Sequence, residues 1–287
     1  MLPSPWLLSV IGLLTGIMGG MLGIGGGVIL IPLLVWVVKY DQRQAQGTSL
    51  ALAIVVVLAN LWNYGSQGYV YWDARSVLYC AVIGLGGAVA AAYASTWALK
   101  MSTHKLTQLF SILMLYAAGT MIYTGLQMSA AGLHEPVRPD IAVSFRTLVE
   151  FLGTGIAGGF ASGFAGIGGN VVMVPLITEV LGVDQKYAQG FAVGSMLPIV
   201  FIGAKKYFSQ GAGNLRTVLL LAPGSVVGVF VGGELLRRLT SPNLKLVFGV
   251  FLVVVAIWQF ISGGPKPTKT APSSEAVETV VPEILTA

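Results

Sequence analysis

The strongest candidates for chemistry in this chain are two stretches of backbone. Gly23-Ile24-Gly25-Gly26-Gly27-Val28-Ile29-Leu30-Ile31-Pro32-Leu33 recurs as Gly166-Ile167-Gly168-Gly169-Asn170-Val171-Val172-Met173-Val174-Pro175-Leu176. Clustered glycines favour backbone with positive φ and remove side-chain bulk. A helix that starts straight after Gly25, Gly26 and Gly27, or after Gly168, Gly169 and Asn170, presents unpaired N–H groups and the positive end of its dipole. Such a terminus binds an anion without a charged side chain. The competing reading is that glycines only let helices pack closely. The ladders Gly12/Gly16/Gly20 and Gly155/Gly159/Gly163 fit that small-xxx-small pattern.

Side chains near these stretches extend the candidate site. Gln46, Thr48 and Ser49 stand near the start of one apolar run, and Gln189 and Ser195 in a later one. Their hydroxyls and amides suit an oxyanion, and suit equally well the capping or cross-bonding of helices. Lys205 and Lys206 end a long apolar run and are a candidate anion path. The alternative is that they snorkel to the interface. Ser/His/Asp triads, His-Glu-x-x-His and Walker A strings are absent from the sequence, so no enzyme is expected. With Cys80, His104 and His134 alone, no Cys/His metal cluster and no intrachain disulfide is expected. No cofactor is implied.

The elements that must position these groups are membrane spans. The 287 residues are 55% hydrophobic and 9% charged, against about 25% charged in soluble domains. The net charge of +5 comes from basic residues scattered at segment ends, which argues against nucleic acid. Apolar segments at 7–38, 44–64, 76–98, 104–126, 145–181, 187–207, 216–238 and 243–262 are each long enough to cross a bilayer. Their lengths are helical and none alternates like a barrel strand. The expected fold is an all-α polytopic membrane protein with about eight transmembrane helices. The first and fifth segments are too long for one straight span and carry the glycine clusters near their middles, so each reads as two half-helices around a break. Kink and full reversal both fit. Met1 to Trp6 carry no Lys or Arg, unlike a signal peptide, and read as leading into the first span.

The chain is also a duplication. A shift of 143 residues aligns Gly12, Gly16, Gly20, Gly23, Ile24, Gly25, Gly26, Val28, Pro32 and Leu33 with identical residues. Asp41-Gln42 then meets Asp184-Gln185, Ala45-Gln46-Gly47 meets Ala188-Gln189-Gly190, and Tyr64 meets Tyr207. Two homologous four-span repeats follow, at 1–126 and 145–262, joined by a linker at 127–144 and trailed by a disordered tail at 263–287. Eight crossings put Lys39, Arg43, Lys100, Lys105, Lys186, Arg237, Arg238 and Lys245 on one side, and Arg75, Arg138, Arg146, Lys205, Lys206 and Arg216 on the other. The positive-inside rule then places the first set in the cytoplasm and both termini outside.

The duplicated Gly-x-Gly-Gly-[Gly/Asn]-x-x-x-x-Pro-Leu, with Ala45-Gln46-Gly47-Thr48-Ser49-Leu50 after its first copy, resembles the TauE/SafE family of sulfite and sulfonate exporters. The resemblance covers roughly residues 7–262. The second copy departs from the first: Asn170 replaces Gly27, and Phe191-Ala192 replace Thr48-Ser49. The resemblance implies a multi-pass transporter in a bacterial cytoplasmic membrane that exports sulfite, sulfoacetate or a related organosulfonate. A carrier or channel for another small anion is the first alternative, and a membrane-embedded enzyme or assembly factor the second. The expected partners are the small anion and the lipid bilayer, and a homodimer is admitted.

Overall fold

Each glycine cluster ends one helix and starts another. The computed structural model describes residues 4–98, 104–132, 136 and 139–262, so the tail expected at 263–287 lies outside the described residues. Ten helices follow in order: α1 Pro5–Leu22, α2 Gly27–Trp36, α3 Gln42–Ser66, α4 Ala74–Ala98, α5 His104–Ala130, α6 Phe145–Ala165, α7 Asn170–Glu179, α8 Gln185–Phe208, α9 Leu215–Arg238 and α10 Ser241–Ser262. The described residues contain no strand. Seven helices (α1, α3, α4, α6, α8, α9 and α10) are long and apolar enough to cross a membrane, and α2 and α7 are shorter and apolar. The protein is a polytopic helical membrane protein.

The helix boundaries have local causes. Ser4, Asp41, Ser144, Asp184 and Asn214 accept a bond from a backbone N–H in the first turn of α1, α3, α6, α8 and α9, satisfying donors the helix leaves open. Gly23 and Gly166 stop α1 and α6 in the left-handed region, both at φ +68°. α5 continues to Ala130, beyond the expected boundary at 126, because nothing breaks it before Gly132 at φ +70°.

The packing follows the duplication. α1 lies along α9, with Gly12 against Leu221, Gly16 against Ser225 and Gly20 against Val229. α6 lies along α4 in the same way, with Gly155 against Ile83, Gly159 against Gly87 and Gly163 against Ala91. In every case an added β-carbon would strike the partner's backbone, so these ladders are packing devices. α3 and α8 pack on each other between the two pairs.

Contacts at the helix ends show that each break is a reversal. α1 and α9 run in the same direction, and Ser9 Oγ in α1 donates to Leu220 O near the start of α9. The chain after α2 returns to that end, where the Tyr40 hydroxyl bonds Thr217 Oγ1 and the Trp36 ring meets Trp258 at the end of α10. The pair α1–α2 therefore enters and leaves at one face. α6 and α7 do the same at the other face. α6 starts beside the start of α4, and Glu179 at the end of α7 pairs at 2.8 Å with Lys245 near the start of α10. Each half then has three long helices after its re-entrant pair, α3–α5 and α8–α10, and an odd number inverts one half relative to the other.

The reversal corrects the expected charge sorting. Lys39, Arg43, Lys105, Lys205, Lys206 and Arg216 fall on one face, and Arg75, Arg146, Lys186, Arg237, Arg238 and Lys245 on the other. Lys100 and Arg138 lie outside the described residues. The even split removes the charge argument for an orientation. Exposed tryptophans mark both faces: Trp6, Trp36 and Trp97 at one, Trp62 and Trp72 at the other, as in an interfacial belt.

Candidate functional site

The two breaks meet halfway along α8. A β-carbon added at Gly25 would lie 2.7 Å from the Met196 ε-methyl, and one at Gly168 2.5 Å from the same methyl. A β-carbon at Gly27 would lie 2.8 Å from the carbonyl oxygen of Ile167, and one at Gly168 3.1 Å from that of Ile24. The Asn170 amide nitrogen donates to Gly23 O. The conformations need glycine: Gly25, Gly26 and Gly168 have φ of +70°, +75° and +81°, a region costly for residues with a β-carbon.

From this meeting point α2 and α7 run toward opposite faces. Neither has a side-chain N-cap, so their first N–H groups and their positive dipole ends are concentrated at the centre. Three polar atoms there are buried without a hydrogen-bond partner: Ser49 Oγ, Asn170 Oδ1 and Gln189 Nε2. All three border the first break. Ser49 Oγ would lie 2.9 Å from a β-carbon at Gly27, the Gln189 β-carbon 3.3 Å from one at Gly23, and Asn170 bonds Gly23 itself. Two of the three can donate to an anion, Ser49 through its hydroxyl and Gln189 through its amide.

Two cross-repeat clamps hold the ends of the long helices. The buried Tyr207 hydroxyl lies 3.1 Å from Gln46 Oε1 and 3.2 Å from Gly163 O, and Gln46 Nε2 donates to Ala165 O at 3.1 Å. Gly163 and Ala165 belong to the last turn of α6, whose carbonyls have no intrahelical partner. The equivalent Tyr64 hydroxyl lies 3.3 Å from Gln189 Oε1 and 3.5 Å from Met21 O in the last turn of α1. Asn60 Nδ2 adds a bond to Gly19 O at 3.1 Å. The α6 clamp is the tighter of the two.

The family described as sulfite exporter TauE/SafE matches residues 1–121 and 151–285, covering both halves. The chain belongs to the TauE/SafE family. Among relatives it is 28% identical over 248 residues to a probable membrane transporter protein of Xylella fastidiosa, covering 85% of this chain and 90% of that one. It is 26% identical over 276 residues to a probable membrane transporter protein of Haemophilus influenzae, covering 89% and 97%. A probable membrane transporter protein of Methanocaldococcus jannaschii is 22% identical over 271 residues, covering 89% and 95%. No solved structure matches the chain.

Within this TauE/SafE chain the candidate residues separate into two groups. Gly25, Gly26, Gly27, Gly168, Gly169, Asn170, Ser49 and Gln189 gather at the breaks, with Gln46 beside Gly166. Thr48 does not join them. Its hydroxyl donates to Gln44 O at 2.7 Å and accepts the Asn214 N–H at 3.1 Å, tying α3 to the loop before α9. Ser195 donates to Ala192 O within α8, and its own carbonyl faces Gly84 of α4. Lys205 and Lys206 sit in the last turn of α8, where cations favour the helix dipole. Lys205 is exposed and Lys206 half-buried, and both stand well along the helix from Met196 at the breaks. Among the described residues, no three His, Cys, Asp or Glu side chains gather as a metal site.

Sequence reasoning missed Tyr64, Tyr207 and Met196. The tyrosines carried a signal, since they are identical at the repeat spacing. Met196 carried none, because it faces Ala53 across the duplication and looks like any apolar residue in an apolar run.

Proposed function

We propose that this protein carries a small sulfur oxyanion across the bacterial cytoplasmic membrane, with sulfite the leading substrate and sulfoacetate-like sulfonates next, in the direction of export. The observation that carries this reading is the convergence of two uncapped half-helix N-termini on one midspan point. Each terminus contributes a partial charge of about +0.5. The buried hydroxyl of Ser49 stands beside it without a partner, and the unpartnered Gln189 amide nitrogen belongs to a side chain packed on Gly23 at the neighbouring end of α1. A compact anion is the solute such a place accepts. A cation meets two positive dipole ends, and an amino acid can offer its carboxylate to them only by bringing its ammonium into the same compact space.

Inverted halves around a midplane site are the build through which carriers expose one site to each face in turn. Transport therefore needs no catalytic step, and the relatives' names point the same way. Both half-helices come from one chain, so a homodimer is not required for the site.

The test is a screen of sulfite, sulfate, thiosulfate and sulfoacetate against the purified protein by thermal shift. A ligand at 100 times its Kd stabilises by about 2.7 kcal/mol. Counterflow in proteoliposomes follows for any anion that binds, and separates a carrier from a channel. If Na⁺ or an amino acid stabilises the protein and no oxyanion does, the reading fails.

A further inference from the structure

Resting on the anion-site reading, we propose that Met196 is the gate and the size selector of that site. Its side chain is fully buried at the midpoint of α8. The ε-methyl sits against Gly25 of one break and Gly168 of the other, and its sulfur would lie 3.5 Å from a β-carbon at Gly25. The single thioether thus fills the space between the two half-helix N-termini. At the same register the first half has Ala53, whose methyl would lie 3.7 Å from a β-carbon at Gly25. One half places a methyl at this point and the other a long flexible chain. The glycines provide an opening that Met196 then closes.

An anion reaches the N–H groups of both half-helices only when this side chain moves. Methionine suits that task, because it is unbranched, has three rotatable bonds and changes rotamer at low cost. Met196 packs with Leu50, Val57, Val200 and Ala204 in a small apolar cluster along the α3–α8 seam, separate from the main core. Opening the centre then requires Met196 to displace these apolar neighbours, which keep the thioether out of water. The space vacated is only that of a thioether, so what enters it is sulfite or the compact head group of a small sulfonate. A sulfonate with a bulky ring is excluded by Met196 and not by the half-helices.

The test uses the full chain in proteoliposomes, with sulfite and benzenesulfonate as probes. Met196→Ala makes the two halves alike at this register and is expected to raise benzenesulfonate transport relative to sulfite about tenfold, the low end of what an unfilled apolar pocket discriminates. Met196→Leu conserves volume but stiffens the gate. It is expected to keep the size limit and slow sulfite turnover severalfold, with sulfite binding by thermal shift unchanged. The proposal is overturned if Met196→Ala moves sulfite with an unaltered preference over benzenesulfonate. It is also overturned if Met196→Leu turns over sulfite at the wild-type rate, the deciding result should Met196→Ala fail to fold. Failure of the underlying reading looks different: wild-type protein then neither binds nor moves sulfite or any other oxyanion, and the gate falls with it.

Discussion

Replacing Tyr207 by Phe removes one hydroxyl from a fully buried position. That hydroxyl lies 3.1 Å from Gln46 Oε1 and 3.2 Å from Gly163 O. It has one proton to donate, so its loss removes the donor from an end of α6 that has few alternatives. A buried acceptor left without its donor costs about 1–3 kcal/mol. We expect about 2 kcal/mol for Tyr207→Phe, because Gln46 keeps its bond to Ala165 O. Tyr64→Phe is the internal control. It deletes the same group at the same register, but the distances there are 3.3 and 3.5 Å, at or beyond the edge of good hydrogen-bond geometry. Its expected cost is about 1 kcal/mol or less, within the range of an ordinary bond. For a chain of this size each kcal/mol moves the melting point by roughly 2–4 °C. Thermal unfolding in detergent should therefore lower Tm by roughly 4–8 °C for Tyr207→Phe and by roughly half that for Tyr64→Phe. Equal shifts, or a larger one for Tyr64→Phe, would refute the claim that the α6 clamp is the tighter one.

Ser49→Ala should leave stability unchanged or raise it slightly, because the hydroxyl is buried without a partner, while sulfite affinity falls about tenfold through loss of a donor to a charged group; an unchanged Kd by calorimetry removes Ser49 from the site. Gly168→Ala should cost about 1–2 kcal/mol for its left-handed φ plus the clash with the Met196 methyl. Met196→Ala relieves only the second, so a double-mutant cycle should show a coupling of about 1 kcal/mol, and additivity within ~0.5 kcal/mol counts against the contact. Lys206→Gln should change sulfite affinity less than about tenfold, since a snorkelling lysine adds little beyond surface charge; complete loss of binding in folded protein would place it in the anion path.

Much of this fold was legible because a bilayer restricts what a chain can do. Spans need about 20 apolar residues, and irregular backbone at membrane depth must be buried or line a cavity. The glycine clusters inside two overlong runs therefore marked the breaks. What those runs did not reveal is the direction of α2 and α7, since kinked and reversed halves share one composition. Distant contacts decide it: Tyr40 with Thr217, Trp36 with Trp258, Glu179 with Lys245. The charge sorting went wrong for the same reason, because one reversal moves every later loop to the other face. Within the candidate site, glycines were readable from φ requirements and Gln189 from its repeat register. Thr48 and Ser195 were not separable from Ser49 by residue type. Each is a small hydroxyl on a helix, and only the facing element determines whether it caps a loop, bonds its own helix or borders a break.

The departures from repeat symmetry have a physical logic. Two positive helix ends brought to one point repel, and that repulsion needs an offset. Here the offset comes from within the breaks. The Ile167 carbonyl stands against Gly27 and the Ile24 carbonyl against Gly168, so each half turns a negative dipole toward the other's helix start. Strict symmetry would place asparagine or glycine at both N-terminal positions. Two asparagines would require room for two amides, and two glycines would leave Gly23 O without the donor that Asn170 supplies. One of each closes the contact between the halves from one side only. The same holds one layer away, where Met196 faces Ala53. A chain whose halves meet on a pseudo-axis repeats the backbone around it, because the geometry is common to both. It cannot repeat the bulky side chains that fill the axis, because there is room for only one.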